Sequence, residues 1–239
     1  MKNTMLTLSR QLLIPLLLCS TAVQGSVVMT GTRVIYPAQV KEKSIQLSNK
    51  SAVPFIVQVQ MDNDEQGSNK IARVPFIASP AIFRVEPHSG QSVLLRFSGG
   101  DMPRDRESVY YLRFTQLPAL ASEQSHKNKL VLAITNRVKV FYRPQGLAGT
   151  ASKVGESLTV QRQGGSLVIH NPTPFYANVA RASLRVKDRD ISLGQQMMVA
   201  PKSSLAVDPA VKIGSVDGLM LKVVTVNDYG TQVVTERRL

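Results

Sequence analysis

The chain has 239 residues, with 29 basic against 16 acidic side chains and a net charge of +13. That excess would suit nucleic acid, an anionic membrane or an acidic protein. The basic residues are scattered and Trp is absent, so the aromatic and basic platform that binds single-stranded nucleic acid is missing.

The N-terminus reads as a leader. Lys2 and Arg10 bracket a short basic region, and "QLLIPLLLCSTAV" is an apolar run too short to span a bilayer comfortably. Small residues follow in "STAVQGS", which completes the layout of a secretory signal peptide. The cut is expected after Gly25, with Val23 as the other small recognition position and a cut after Ala22 as the rival. Cys19 invites a lipoprotein reading, but Leu18 before it is too large for that signal. Removing residues 1–25 removes the only cysteine, so the mature chain must hold together by packing alone, although export would permit a disulfide. The mature charge is about +11, because the leader carries two of the basic residues and none of the acidic ones. Export argues against a nucleic-acid partner, and no later segment is long and apolar enough to be a transmembrane helix.

Beyond the leader nearly every segment alternates or is a short β-branched run, with turn residues between. "SVVMTGTRVIYP" opens the mature chain; "KSIQLSN", "PFIVQVQMD", "VPFIAS", "AIFRVEP", "QSVLLRFS" and "ESVYYLRFTQLP" follow. "KLVLAITNRVKVFYRP" at 129–144 closes the series as one long strand, greasy at first and then cationic at Arg137, Lys139 and Arg143. Seven or eight strands over about 120 residues suit an immunoglobulin-like sandwich. Pro144, Gly146 and Gly149 then break the pattern. The alternation resumes in "SLTVQR", "SLVIHNPTPFYANVARASLRVK", "QMMVAPKSSLAV", "GLMLKVVTVNDYG" and "TQVVTERR", a second β domain of about 90 residues. The expected fold is all-β: an N-terminal sandwich over 26–145 and a C-terminal one over 146–239, joined by a short link that holds a fixed angle. Internal repeats are not evident in the sequence.

Catalytic and metal-binding signatures are missing. His88, His126 and His170 lie near turns or strand ends, and no cluster offers metal ligands. There is no Gly-x-Ser-x-Gly elbow and no phosphate-binding glycine loop. "DNDE" at 62–65 resembles a calcium loop but lacks the later glutamate, and it sits where a hairpin turn is expected. "DRE" at 105–107 pairs two carboxylates without a nucleophile nearby. No enzymatic function, cofactor or metal is expected.

Five motifs in a fixed order carry a resemblance: "GTRVIYP" at 31–37, "PRDRES" at 103–108, "RVKVFYRP" at 137–144, "NPTPFY" at 171–176 and "VNDYG" at 226–230. Together they resemble the PapD-like periplasmic chaperones of the chaperone–usher pathway, over essentially the whole mature chain. The resemblance implies two immunoglobulin-like sandwiches set at an angle with a cleft between them. It implies fimbrial or pilus subunits and an outer-membrane usher as partners, a periplasmic location and no insertion into the membrane. Self-capping homo-oligomers that hide an apolar strand when idle are compatible with it.

The resemblance also implies roles. Leu130, Leu132 and Ile134 match the donor residues that fill a subunit's groove, and they lie two apart on one face. Val131 and Ala133, on the opposite face, are then expected to pack inside their own domain. Arg33 and Lys139 match the two cleft cations that hold the subunit's C-terminal carboxylate. Lys139 is an odd number of residues from Leu130, so a bulge or strong twist near Thr135-Asn136 is one way to align the two functions. Glu107, Arg143 and Asp228 match an interdomain salt bridge, and Asn171-Pro172-Thr173-Pro174 reads as a rigid corner.

Some positions depart from the family pattern. "SPAIFR" keeps Pro80 but has Ala81 where a second proline is usual; Gln60 stands for a common Trp, and Lys129 for an apolar donor. The short loop "PALASEQSHKNK" suggests the subclass serving rod-like pili. A secreted adhesin or ligand-binding sandwich remains the alternative, but it gives Arg33 and Lys139 no joint role.

Overall fold

Residues 26–63, 74–119, 130–163, 166–209 and 213–239 are described by a computed structural model. The leader, most of the "DNDE" turn, His126, Lys129 and the loop 120–129 lie outside them. The opening segment "SVVMTGTRVIYP" divides. It forms β1 (Val27–Met29) and β2 (Arg33–Pro37), which enter different sheets. Gly31, at φ 87°, lies between them, in a conformation that a residue without a Cβ adopts freely. The remaining strands of the first sandwich are β3 (Glu42–Asn49), β4 (Phe55–Asp62), β5 (Phe76–Ser79), β6 (Ile82–Val85), β7 (Gly90–Phe97), β8 (Ser108–Pro118) and β9 (Ile134–Arg143). They build two sheets, β1-β3-β7-β5 and β2-β9-β8-β4-β6.

A 3-10 turn (Ala151–Lys153) and a four-residue helix, α1 (Val154–Ser157), occupy the stretch after the glycines. The second sandwich follows: β10 (Thr159–Gln163), β11 (Ser166–Asn171), β12 (Ala177–Val186), β13 (Arg189–Val199), β14 (Ser203–Val207), β15 (Met220–Val226) and β16 (Gln232–Arg238). Its sheets are β10-β11-β14 and β13-β12-β15-β16.

Each sandwich has its own core, made by the inward half of the alternating strands. Tyr36, Leu47, Val57, Leu95 and Val140 are sealed in the first, and Leu158, Ile169, Leu184 and Leu221 in the second. Tyr36 shows how a polar atom is accommodated there. Its Oη lies within bonding distance of the Val40 and Lys41 carbonyls and accepts from the Phe97 N–H, so the buried phenol keeps its partners.

The two sandwiches share one device at a corner. Asn49 Nδ2 donates to the carbonyls of Val53, Val85 and Glu86, while its Oδ1 accepts from the Ser51 N–H. Asn171 does the same with Phe175, Val199, Ala200 and the Thr173 N–H. In each case a buried amide closes a corner by bonding backbone groups of two segments at once. The "NPTP" corner is therefore held by Asn171 as much as by its prolines.

The segment 129–144 differs from the expectation of one long strand. Regular pairing starts at Ile134, and Leu130 to Ala133 are described outside any strand. From Gln116–Ile134 to Ser108–Tyr142 the β8–β9 register runs without a shift, so no bulge reorients Lys139. Val138, Val140 and Tyr142 face the first core. The even positions Leu130, Leu132 and Ile134 thus continue the numbering of that apolar row. Val131 and Ala133 do not pack inside their own domain as expected: Val131 is 41% exposed and Ala133 is exposed too. Within β9 the inward job belongs to Val138, Val140 and Tyr142, because the sheet's core lies on that side.

Candidate functional site

The cleft is built from one parallel strand pair. β2 runs beside β9 with Arg33 opposite Lys139, Ile35 opposite Phe141 and Pro37 opposite Arg143. Between these rows, Val34, Val140, Tyr36 and Tyr142 turn into the first core. Strand alternation therefore aims the odd rows away from that core, and the contacts below show them meeting the second sandwich. Two adjacent strands place two cations side by side with no distortion of either. Leu130 precedes β9, so strand alternation does not fix its facing relative to Lys139, and the odd spacing between them needs no bulge.

Both cations are held from the second sandwich. Arg33 Nη1 donates to the Val226 carbonyl at 3.0 Å, and Lys139 Nζ donates to Asn178 Oδ1 at 3.0 Å. Burial pushes the Arg33 guanidinium below its ordinary value, with Asp228 acting in the opposite direction. Arg33 Nε is buried and has no hydrogen-bond partner among the described residues. A buried N–H on a cation is costly to leave unpaired, so this atom marks a place where an anionic acceptor would be favoured. On the next odd row Phe141 meets Tyr176 of the second sandwich, their ring centroids 5.7 Å apart.

Glu107, Arg143 and Asp228 come together at the following odd row, that of Arg143. Arg143 Nε lies 2.6 Å from Glu107 Oε1, and its Nη1 and Nη2 take the two Asp228 oxygens at 2.7 and 2.9 Å. The remaining Glu107 oxygen accepts from the Tyr176 N–H at 2.8 Å, and the Glu107 N–H donates to Pro174 O at 2.9 Å. One guanidinium from β9 thus binds a carboxylate of each sandwich through its planar fork. The Glu107 side chain is only 2% exposed. Burial raises its pKa above 4.5, opposed by the charge of Arg143 and by the Tyr176 N–H. For Arg143, burial works downward, but the Asp228 hydrogen bonds and the Glu107 charge outweigh it and raise the value.

These shifts give a pH prediction. The folded state takes up the Glu107 proton at higher pH than the unfolded chain does. That contribution is fully present below the ordinary glutamate value and is lost as pH rises through the raised one. Glu107→Gln should flatten this part of the curve of Tm against pH, in the window that opens upward from the ordinary glutamate value. An unchanged slope in that window would contradict the assignment.

The apolar row lies at the other end of β9. Leu130, Leu132 and Ile134 are 85%, 62% and 46% exposed. β2 reaches along β9 only from Lys139 onward. The edge from Ile134 to Val138 pairs with β8 on one side and with no described strand on the other. An open strand edge carrying exposed aliphatics is a template for another chain.

Sequence reading had singled out Arg33, Lys139, Glu107, Arg143, Asp228 and the apolar row, but not Asn178, Val226 or the Tyr176 backbone. Asn178 stands two residues past the "NPTPFY" motif, where only the approach of β12 to β9 reveals it. Among the described residues no group of His, Cys, Asp and Glu could hold a metal ion, and no helix is long and apolar enough to cross a membrane.

Comparison with known proteins agrees with this architecture. Residues 26–148 match the family described as pili and flagellar-assembly chaperone, PapD N-terminal domain, and residues 153–237 match the PapD C-terminal domain of pili assembly chaperones. The chaperone protein MrkB of Klebsiella pneumoniae is 35% identical over 218 residues, covering 89% of this chain and 91% of its own. The crystal structure of the YadV chaperone aligns with a TM-score of 0.76 at 30% identity, covering 90% of this chain and 100% of that one. A chain from the Salmonella enterica SafA pilin–SafB chaperone complex aligns with a TM-score of 0.73 at 27% identity, covering 92% of this chain and 99% of that one. With both sandwiches matched in order, the chain belongs to the PapD family of pilus assembly chaperones.

Proposed function

We propose that this chaperone works in the periplasm, where it caps fimbrial or pilus subunits by donor-strand complementation and delivers them to an outer-membrane usher. The observation that carries the reading is the exposed apolar row Leu130, Leu132, Ile134, leading into a stretch of β9 that pairs with β8 on one side and with no described strand on the other. Strand addition is an established recognition mode: backbone hydrogen bonds supply affinity and alternate side chains fill pockets. A subunit that lacks one strand would receive from this edge both the missing hydrogen bonds and an apolar filling. Each donor side chain would contribute roughly 1.5–3 kcal/mol of transfer free energy, less the ordering cost of docking.

The cleft then sets the register. A C-terminal carboxylate seated on Arg33 and Lys139 fixes one end of the added strand, so that the donor row meets the correct pockets. The Glu107–Arg143–Asp228 network holds the two sandwiches at the angle that keeps the cleft open. Release follows from exchange with another donor strand, without nucleotide. When no subunit is bound, the same apolar edge is suited to a self-capping pair of copies. The mature chain begins at Ser26, after export and removal of the leader.

Leu132→Glu is the direct test, because Leu132 is exposed and its replacement leaves the core intact. A co-expressed fimbrial subunit should be recovered with the wild-type protein at a one-to-one ratio. Recovery should fall by about tenfold to a hundredfold with the variant, given the apolar burial lost, while circular dichroism and Tm stay unchanged. Full recovery with the variant would overturn the donor role.

A further inference from the structure

Asn178 lies outside every motif that marks this family in the sequence, yet its side chain touches a cleft cation. Its Oδ1 accepts from Lys139 Nζ at 3.0 Å across the domain boundary. Val179 pairs with Thr225 in the β12–β15 ladder, which brings Asn178 beside the end of β15 that carries Val226. The two contacts that tie the cleft cations to the second sandwich are therefore neighbours: Asn178 under Lys139 and the Val226 carbonyl under Arg33. Both acceptors are uncharged. The nearby carboxylate, Asp228, is engaged through both oxygens by Arg143.

We propose that Asn178 is a specificity-determining residue of the cleft: it positions Lys139 without neutralising it and offers its own amide N–H groups to the carboxylate that Lys139 and Arg33 receive. The inference rests on the carboxylate-anchoring role assigned to those two cations above. Three physical points support it. An amide holds an ammonium by one acceptor and keeps two N–H donors on the other end of the same planar group. A carboxylate at this position would instead pair with Lys139 and repel an incoming anion, whereas the amide adds no negative charge beside it. A lysine on a flexible stem loses rotamer freedom when it binds, and a contact that fixes its ammonium beforehand lowers that cost. Asn178 thereby biases the cleft toward a chain terminus bearing a negative charge, against an amidated or continuing chain.

The test compares two forms of one fluorescein-labelled peptide of alternating valine and threonine, one ending in a free carboxylate and one in a carboxamide. Binding to the full mature protein is followed by fluorescence polarisation. The wild type should prefer the carboxylate form. Asn178→Asp, which conserves shape, should cut that preference by about tenfold or more, as expected for a like charge set against the ligand's. It should change binding of the carboxamide form little. Asn178→Ala should give a smaller loss, since it removes the positioning contact without adding a charge. Tm and circular dichroism report whether either variant disturbs the fold, and a variant that binds the carboxamide form normally is folded for this purpose. If the wild type shows no preference, the anchoring role of Arg33 and Lys139 fails. If the wild type discriminates and Asn178→Asp discriminates equally, the anchoring stands and the role of Asn178 is overturned.

Discussion

Arg143→Ala will cost about 3–5 kcal/mol of stability, the range for stripping one partner from a buried ion pair. The reason is asymmetric. Glu107 is almost wholly buried and would keep only the Tyr176 N–H to balance its charge. Asp228, whose side chain is 35% exposed, would turn to water at little cost. Glu107 therefore dominates the loss, and Glu107→Gln in the same background should recover part of it by removing the stranded charge. Arg143→Lys should rescue poorly, because an ammonium cannot span Glu107 and two Asp228 oxygens at once. Denaturant unfolding with one probe in each sandwich measures both the loss and its location. A loss under about 1 kcal/mol would place the network with weak surface pairs and remove its proposed part in holding the cleft.

Arg33→Ala and Lys139→Ala will each weaken retention of a co-expressed fimbrial subunit by roughly tenfold to a hundredfold, as expected for a charge-assisted hydrogen bond worth about 1.5–3 kcal/mol. The two should not be additive. They are adjacent in the β2–β9 register, and the proposed carboxylate is one group shared between them, so the double variant should lose less than the sum. Arg33 carries the larger expectation, since its buried Nε has no partner among the described residues to fall back on. Arg33→Lys should restore little, for want of that second N–H. Pull-down at matched expression, followed by off-rate measurement, tests this. Subunit held at full strength by both single variants would refute the anchor.

Much of the fold was legible because β structure writes itself in the sequence with a period of two. "KSIQLSN" and "QSVLLRFS" alternate, and they are β3 and β7, with Ile45, Leu47, Val93 and Leu95 inside. Other elements were harder to read. Nothing local in "SVVMTGTRVIYP" says that its halves join different sheets. The repeated amide corner at Asn49 and Asn171 escaped because the local likeness is only an Asn with a hydroxyl residue two places on, while most of the carbonyl partners come from distant segments. The apolar run reads as part of one long strand, which would put Val131 and Ala133 inside, whereas the strand begins at Ile134 and both residues are exposed ahead of it.

The sequence alone determined the strand content, the break between two β units, and which residues carry charge or apolar surface, because these follow from side-chain chemistry and short-range periodicity. Tertiary structure decided the rest. It set Arg33 beside Lys139, joined Glu107, Arg143 and Asp228 across the boundary, and put Asn178 under Lys139. Such contacts join residues far apart along the chain, and their geometry exists only once each sheet has chosen its neighbours and each strand its inward face.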